Sequence, residues 1–193
     1  MVKEHFYKGT LCHIEQTFIE HFEKIVKEFK PEMIVELGTC TGGMTKYFTE
    51  WFPKIPIYSV DAYWLVSKED EELFRSNNVG IIITSQIFKS DILLPTILSL
   101  PLKKFLFCDD GYRVEEFKLF AGYLRPGDLL GVHDWNEELK MIDVKHILEE
   151  FLDHPINKFL DENGGISCCR FWNRKGYDRS AWRTPPKVDF KEK

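Results

Sequence analysis

Four groups of residues in this chain have side chains suited to chemistry, and each stands at the end of an apolar run. Glu36 closes Met33-Ile34-Val35 and leads into Gly38-Thr39-Cys40-Thr41-Gly42-Gly43. Asp61 follows Ile57-Tyr58-Ser59-Val60, Asp109-Asp110 follows Phe105-Leu106-Phe107-Cys108, and His133-Asp134 follows Leu129-Leu130-Gly131-Val132. A carboxylate can accept one O–H bond on each oxygen, which suits a diol. Carboxylates together with an imidazole suit a divalent cation, and the imidazole can alternatively take a hydroxyl proton near neutral pH. Gly38, Gly42 and Gly43 can adopt backbone angles closed to other residues and let a ligand approach the main chain, while the following helix presents unpaired N–H groups. The spacing is Glu-x-Gly-x-x-x-Gly and not the Gly-x-Gly-x-x-Gly of dinucleotide enzymes, which argues against a nicotinamide cofactor. Plainer roles fit some of the same residues. Asp109-Asp110 before Gly111 also suits a turn and helix cap, His133 also suits a core histidine, and Trp135 suits either packing or a pocket wall. His5, His13, His21, His146 and His154 have no ligand-like spacing.

These residues need a frame to bring them together, and the hydropathy pattern supplies one. Ile14, Phe18, Ile19, Phe22, Ile25, Val26 and Phe29 recur at helical spacing up to Pro31. Strands are expected at 33–37, 55–60, 79–84, 104–108 and 128–132. Helices are expected at 42–51, 68–75, from a Ser90-Asp91 cap to Leu100, at 115–124 and at 139–152. A hairpin through Asn163-Gly164-Gly165 into 166–172 completes the pattern. Asp61 comes 25 positions after Glu36, room for a βαβ unit. Strands alternating with helices imply an α/β fold, a mostly parallel sheet with helices on both faces and an antiparallel C-terminal hairpin. In such sheets ligands sit beyond the carboxyl ends of the strands, where all four groups fall.

The stretch from Glu36 to Gly43, with Asp61 closing the next strand, resembles motif I and the ribose-binding acid of the class I S-adenosylmethionine (SAM) methyltransferases. A second stretch narrows the resemblance: Phe107-Cys108-Asp109-Asp110-Gly111-Tyr112, then Tyr123-Leu124-Arg125-Pro126-Gly127-Asp128, then Gly131-Val132-His133-Asp134-Trp135. It is similar to the cation-dependent small-molecule O-methyltransferases of the catechol, macrolide-sugar and cephalosporin-biosynthesis type. The resemblance implies a Rossmann-like seven-stranded sheet and methyl transfer from SAM to a hydroxyl of a small molecule. It implies that Glu36, Gly38, Thr39, Gly42, Gly43 and Asp61 bind SAM, with Ser90 and Asp91 beside the adenine. It also implies that Asp109, His133 and Asp134 hold a divalent cation, Mg²⁺ or Mn²⁺, and that Asp109 and His133 act on the hydroxyl. His133 departs from the Asp-Asn or Glu-Asp pair usual there; as a ligand it would favour Mn²⁺, Fe²⁺ or Zn²⁺, and as a free base it would need no ion. The matching part is about 31–172, leaving 1–30 as an N-terminal helical extension and 173–193 as a basic, aromatic tail. A homodimer is compatible with the resemblance. The alternative function is a catalytically inactive SAM-fold protein that binds partners through its C-terminus.

Length and composition agree with one such domain: 193 residues, 44% of them hydrophobic, can build one sizeable core. No apolar run approaches the roughly 20 residues that span a bilayer, and the start lacks a signal-peptide core, so a cytoplasmic protein without membrane contact is expected. A net charge of −5, from 26 basic and 31 acidic residues, argues against a nucleic-acid partner. The five cysteines include no Cys-x-x-Cys and read as reduced thiols. Arg170 to Lys193 carries eight Lys/Arg against three Asp/Glu.

Overall fold

The computed structural model describes residues 5–84, 92–162 and 169–176. In chain order its elements are β1 (His5–Tyr7), β2 (Thr10–Cys12), α1 (Gln16–Phe29), β3 (Met33–Leu37), α2 (Gly43–Trp51), β4 (Ile57–Asp61), α3 (Lys68–Arg75) and β5 (Val79–Ile83). Then follow α4 (Leu93–Ser99), β6 (Lys104–Cys108), α5 (Arg113–Phe120), β7 (Leu129–Val132), α6 (Met141–Leu148), β8 (Phe151–Asp153), α7 (Pro155–Glu162) and β9 (Arg170–Arg174). One seven-stranded sheet runs β5-β4-β3-β6-β7-β9-β8. Its first five strands are parallel, and β9 runs antiparallel to both β7 and β8. The expected mostly parallel sheet with an antiparallel C-terminal hairpin is therefore present.

Alternation along the central strands divides the interior into two cores, because successive side chains leave a strand on opposite faces. On one face Val35, Leu37, Leu106 and Cys108 pack with Leu94 and Leu98 of α4, Phe117 of α5 and Trp172. On the other, Ile34, Phe105 and Phe107 meet Phe18 and Phe22 of α1, Phe48 of α2 and Phe171. Phe22 is the hub of that second face, with ring centroids 5.1 Å from Phe107 and 5.2 Å from Phe171. Helix α1 is thus part of the sheet's own core. Helix α3 begins on Ser67, whose hydroxyl accepts from the Asp70 N–H, and Glu69, Asp70 and Glu71 place negative charge in its first turn.

Two segments differ from the sequence reading. Residues 5–12, expected to belong to a helical extension, form the β1–β2 hairpin; Lys8 and Gly9 both have positive φ, 47° and 85°, as a two-residue hairpin turn requires. The helix expected over 139–152 ends at Leu148. The helix gives way where Phe151–Asp153 pair with the last strand, and Pro155 is suited to the first turn of the next helix, α7. The intervening Phe151–Asp153 becomes β8, so the C-terminal hairpin pairs β8 with β9 and carries α7 between them. The Asn163-Gly164-Gly165 turn, the Ser90-Asp91 cap and the tail from 177 onward lie outside the described residues. Among the described residues, no helix is long and apolar enough to cross a membrane.

Candidate functional site

The chain runs from β3 outward to β4 and β5, then crosses back to β6 on the other side of β3, which makes the carboxyl end of β3 the point where the sheet's order reverses. The glycine turn starts there. Gly38 has φ 99°, and a Cβ on it would lie 2.4 Å from the Asp109 carbonyl oxygen, so only glycine fits between the ends of β3 and β6. Gly42, φ 93°, is the N-cap of α2. Gly43 has a different neighbour from the one expected of a ligand loop: its Cβ would fall 2.3 Å from the Leu11 carbonyl oxygen. The β1–β2 hairpin therefore sits directly on the first turn of α2, where Thr41 Oγ1 also donates to that same carbonyl at 2.9 Å.

Beneath this turn lies a chain of hydroxyls and one buried acid. Glu36 Oε2 accepts from Thr45 Oγ1 and Ser59 Oγ, both at 2.5 Å, and Ser59 Oγ is 2.7 Å from Thr39 Oγ1. Burial pushes the Glu36 carboxyl up to about 8 against the pull of those hydroxyls. Asp61, at the end of β4, accepts from the Cys40 N–H through Oδ2 at 2.7 Å and from the Tyr63 N–H through Oδ1 at 2.9 Å. Each oxygen is aimed by one backbone donor and keeps a further lone pair, which is what a diol needs.

The second half of the site occupies the ends of β6 and β7. Asp109 Oδ1 is 2.9 Å from His133 Nδ1, and Asp134 Oδ1 is 3.4 Å from the same nitrogen. One ligand atom from each of the three lies within 4.8 Å of the others. His133 Nε2 has no access to solvent, so the ring faces the two acids through Nδ1. Asp134 takes φ 54°, a left-handed angle that Asp tolerates better than most residues, and its carbonyl accepts from the Glu137 and Glu138 N–H groups at 3.1 and 3.0 Å. That tight loop turns Glu138 back toward α5. There Arg113 contacts all three acids: Nη2 is 3.1 Å from Asp109 Oδ1 and 2.5 Å from Asp134 Oδ2, and Nη1 pairs with Glu138. Burial alone would lower the guanidinium pKa, but these carboxylates, Asp109 first, carry it above its ordinary value. One turn further along α5, Glu116 is wholly buried; burial, then the charge of Asp110, push its carboxyl well above the usual range.

The structure brings Glu36, Gly38, Thr39, Gly42, Asp61, Asp109, His133 and Asp134 to neighbouring strand ends. Ser90 and Asp91 fall outside the described residues. Trp135 is packing: it is 8% exposed and its ring lies 5.0 Å from that of Trp172. Thr45, Ser59, Arg113 and Glu138 were missed by sequence reasoning. Arg113 opens α5 just after the Asp109-Asp110 loop, and that closeness in sequence was the signal that could have found it.

No protein-family model matches the chain, and no curated protein does either. CmcI bound to S-adenosylhomocysteine (SAH) superposes with a TM-score of 0.60 at 13% identity, over 88% of this chain and 81% of CmcI. MycE, a methyltransferase of the mycinamycin biosynthetic pathway in complex with Mg and SAH, gives 0.54 at 17% identity, over 84% of this chain but 47% of MycE. A SAM-dependent methyltransferase from Aquifex aeolicus gives 0.51 at 16% identity, over 83% and 93%. The fold is that of the SAM-dependent methyltransferases.

Proposed function

We propose that this chain transfers the methyl group of SAM to a hydroxyl of a small molecule, with a divalent cation held at Asp109, His133 and Asp134. A fold alone does not fix a chemistry. The observation that carries the reading is the placement, at the ends of the four adjacent strands β4, β3, β6 and β7, of an aimed carboxylate, a glycine turn, and an acid–imidazole–acid cluster.

Asp61 presents its spare lone pairs to the ribose hydroxyls of SAM. The turn from Gly38 to Gly42 borders the methionine part, with Glu36, Thr45 and Ser59 bracing it from below. The donor set at the other half fits a cation: two carboxylates and an imidazole nitrogen converge, and an imidazole among them suits Mn²⁺. Such an ion, when bound, supplies Lewis-acid polarisation that makes the acceptor hydroxyl more acidic. The geometry favours this over His133 as a free base. With Nε2 shut away from solvent, a hydroxyl proton could reach the ring only through Nδ1, and that nitrogen already faces Asp109 and Asp134. In the overall reaction the oxygen–methyl bond forms as the sulfonium–methyl bond breaks, the hydroxyl proton leaves, and SAH is released. Tyr63, Trp64 and Tyr112, exposed beside Asp61 and Asp110, offer flat faces to a bound ring. A small hydroxylated acceptor is therefore the expected partner.

Two measurements test this. Chelator should abolish methyl transfer and Mn²⁺ restore it; full activity in chelator removes the ion from the reading. Asp61→Ala should weaken SAH binding by about 1.5–3 kcal/mol, the loss of hydrogen bonds to a charged group, and unchanged affinity refutes the cofactor site.

A further inference from the structure

The proposed ion site already contains a cation. Arg113 enters from the first turn of α5, is only 7% exposed, and its Nη2 bridges Asp109 Oδ1 and Asp134 Oδ2 at 3.1 and 2.5 Å. These are the two acids on which a divalent ion would depend. Asp109 Oδ1 serves both the guanidinium and His133, while Asp134 divides its oxygens, Oδ2 to Arg113 and Oδ1 toward His133. We propose that Arg113 is a resident counter-cation: a positioning residue that keeps Asp109 and Asp134 converged before an ion arrives, and that holds down the site's affinity for that ion. The inference rests on the ion reading given above.

The guanidinium has two opposite effects on an incoming ion. Two acids held at adjacent strand ends repel each other, and a planar fork that spans both relieves the repulsion better than a point charge could. Partners behind metal ligands also orient them, and their loss usually costs roughly 10–100-fold in metal affinity. Against this, a divalent ion placed among these atoms would stand a few ångströms from a fixed positive charge, in a buried place where salt screens poorly. It would also compete for an oxygen that Arg113 occupies. The repulsion outweighs the orienting effect here, because the backbones that carry both acids are fixed independently and Arg113 restrains only their side chains. The Asp109 N–H is bonded to the Leu37 carbonyl at 2.7 Å, and the Asp134 carbonyl is held by the loop from Glu137 and Glu138.

The test uses the full chain, stripped with chelator, and Mn²⁺ alone as the probe, titrated calorimetrically against wild type, Arg113→Gln and Arg113→Met. SAH binding and circular dichroism report on the fold. Both variants should bind Mn²⁺ about tenfold more tightly than wild type or better, and should melt at a lower temperature without it. Equal or weaker Mn²⁺ affinity in folded variants overturns the proposal, and leaves the ion reading standing if wild type binds Mn²⁺. Binding by the variants but not by wild type supports the proposal and removes the ion from the native reaction. No Mn²⁺ binding by any of the three overturns both. If the variants are unfolded in chelator, recovery of a cooperative melt on adding Mn²⁺ supports the proposal, since the ion then replaces the guanidinium; no recovery in either variant overturns it.

Discussion

At the scale of the residue, Glu36 shows what burial does to an acid. Its carboxyl is fully buried and is pushed from 4.5 up to about 8 by the loss of water. Below about 4.5 the group is neutral in the folded and the unfolded chain alike, and its contribution to stability is fully present. As pH rises from there to about 8, the unfolded chain gives up the proton first, so that contribution is progressively lost. Glu36→Gln should therefore flatten the fall in stability between pH 5 and 8.5 by on the order of 1 kcal/mol or more, read from urea midpoints at the two ends. Parallel curves for the two proteins would contradict this. The sequence made Glu36, Asp61, Asp109, His133 and Asp134 visible because strand ends in a parallel sheet are where such groups gather. It did not show that Oε2 of Glu36 is already taken by Thr45 and Ser59, since those partners are 9 and 23 positions away and only tertiary packing joins them.

At the scale of the element, the β1–β2 hairpin is held by a buried polar cluster. Lys46 Nζ donates to Asp70 Oδ1 at 2.6 Å, to Thr10 Oγ1 at 2.9 Å and to the Lys8 carbonyl at 3.1 Å, while Thr10 Oγ1 donates to Asp70 Oδ2 at 2.5 Å. Above it the Tyr7 and Tyr47 rings stack with centroids 3.7 Å apart. Asp70→Ala would leave the Lys46 charge buried without its carboxylate, and removing one partner of a buried pair costs about 3–5 kcal/mol. Chemical denaturation should show a loss of that size; a loss under about 1 kcal/mol would mean that Lys46 reaches water instead. Three-residue strands of mixed composition give almost no periodic signal, which is why this hairpin was illegible while the 14-residue α1 was plain. The same weakness hid β8: Phe151–Asp153 is only three residues long and continued a helical pattern.

At the scale of the whole molecule, seven strands in the order β5-β4-β3-β6-β7-β9-β8 follow from alternating patterns that the sequence carries openly. The order itself depends on long-range pairing, and periodicity says nothing about it. One consequence comes from the 2.4 Å that a Gly38 Cβ would leave to the Asp109 carbonyl. Backbone touches backbone there, so the proposed nucleoside half and the proposed ion half of the site cannot shift independently, and their occupancies should be linked. If SAH tightens Mn²⁺ binding by some factor, Mn²⁺ must tighten SAH binding by the same factor, and coupling of this kind is typically about 5–150-fold. Paired titrations measure it directly, and a factor of one would show the two halves to be deaf to each other. Gly38→Ala should force the strand ends apart and lower that cooperativity, even where each ligand alone still binds.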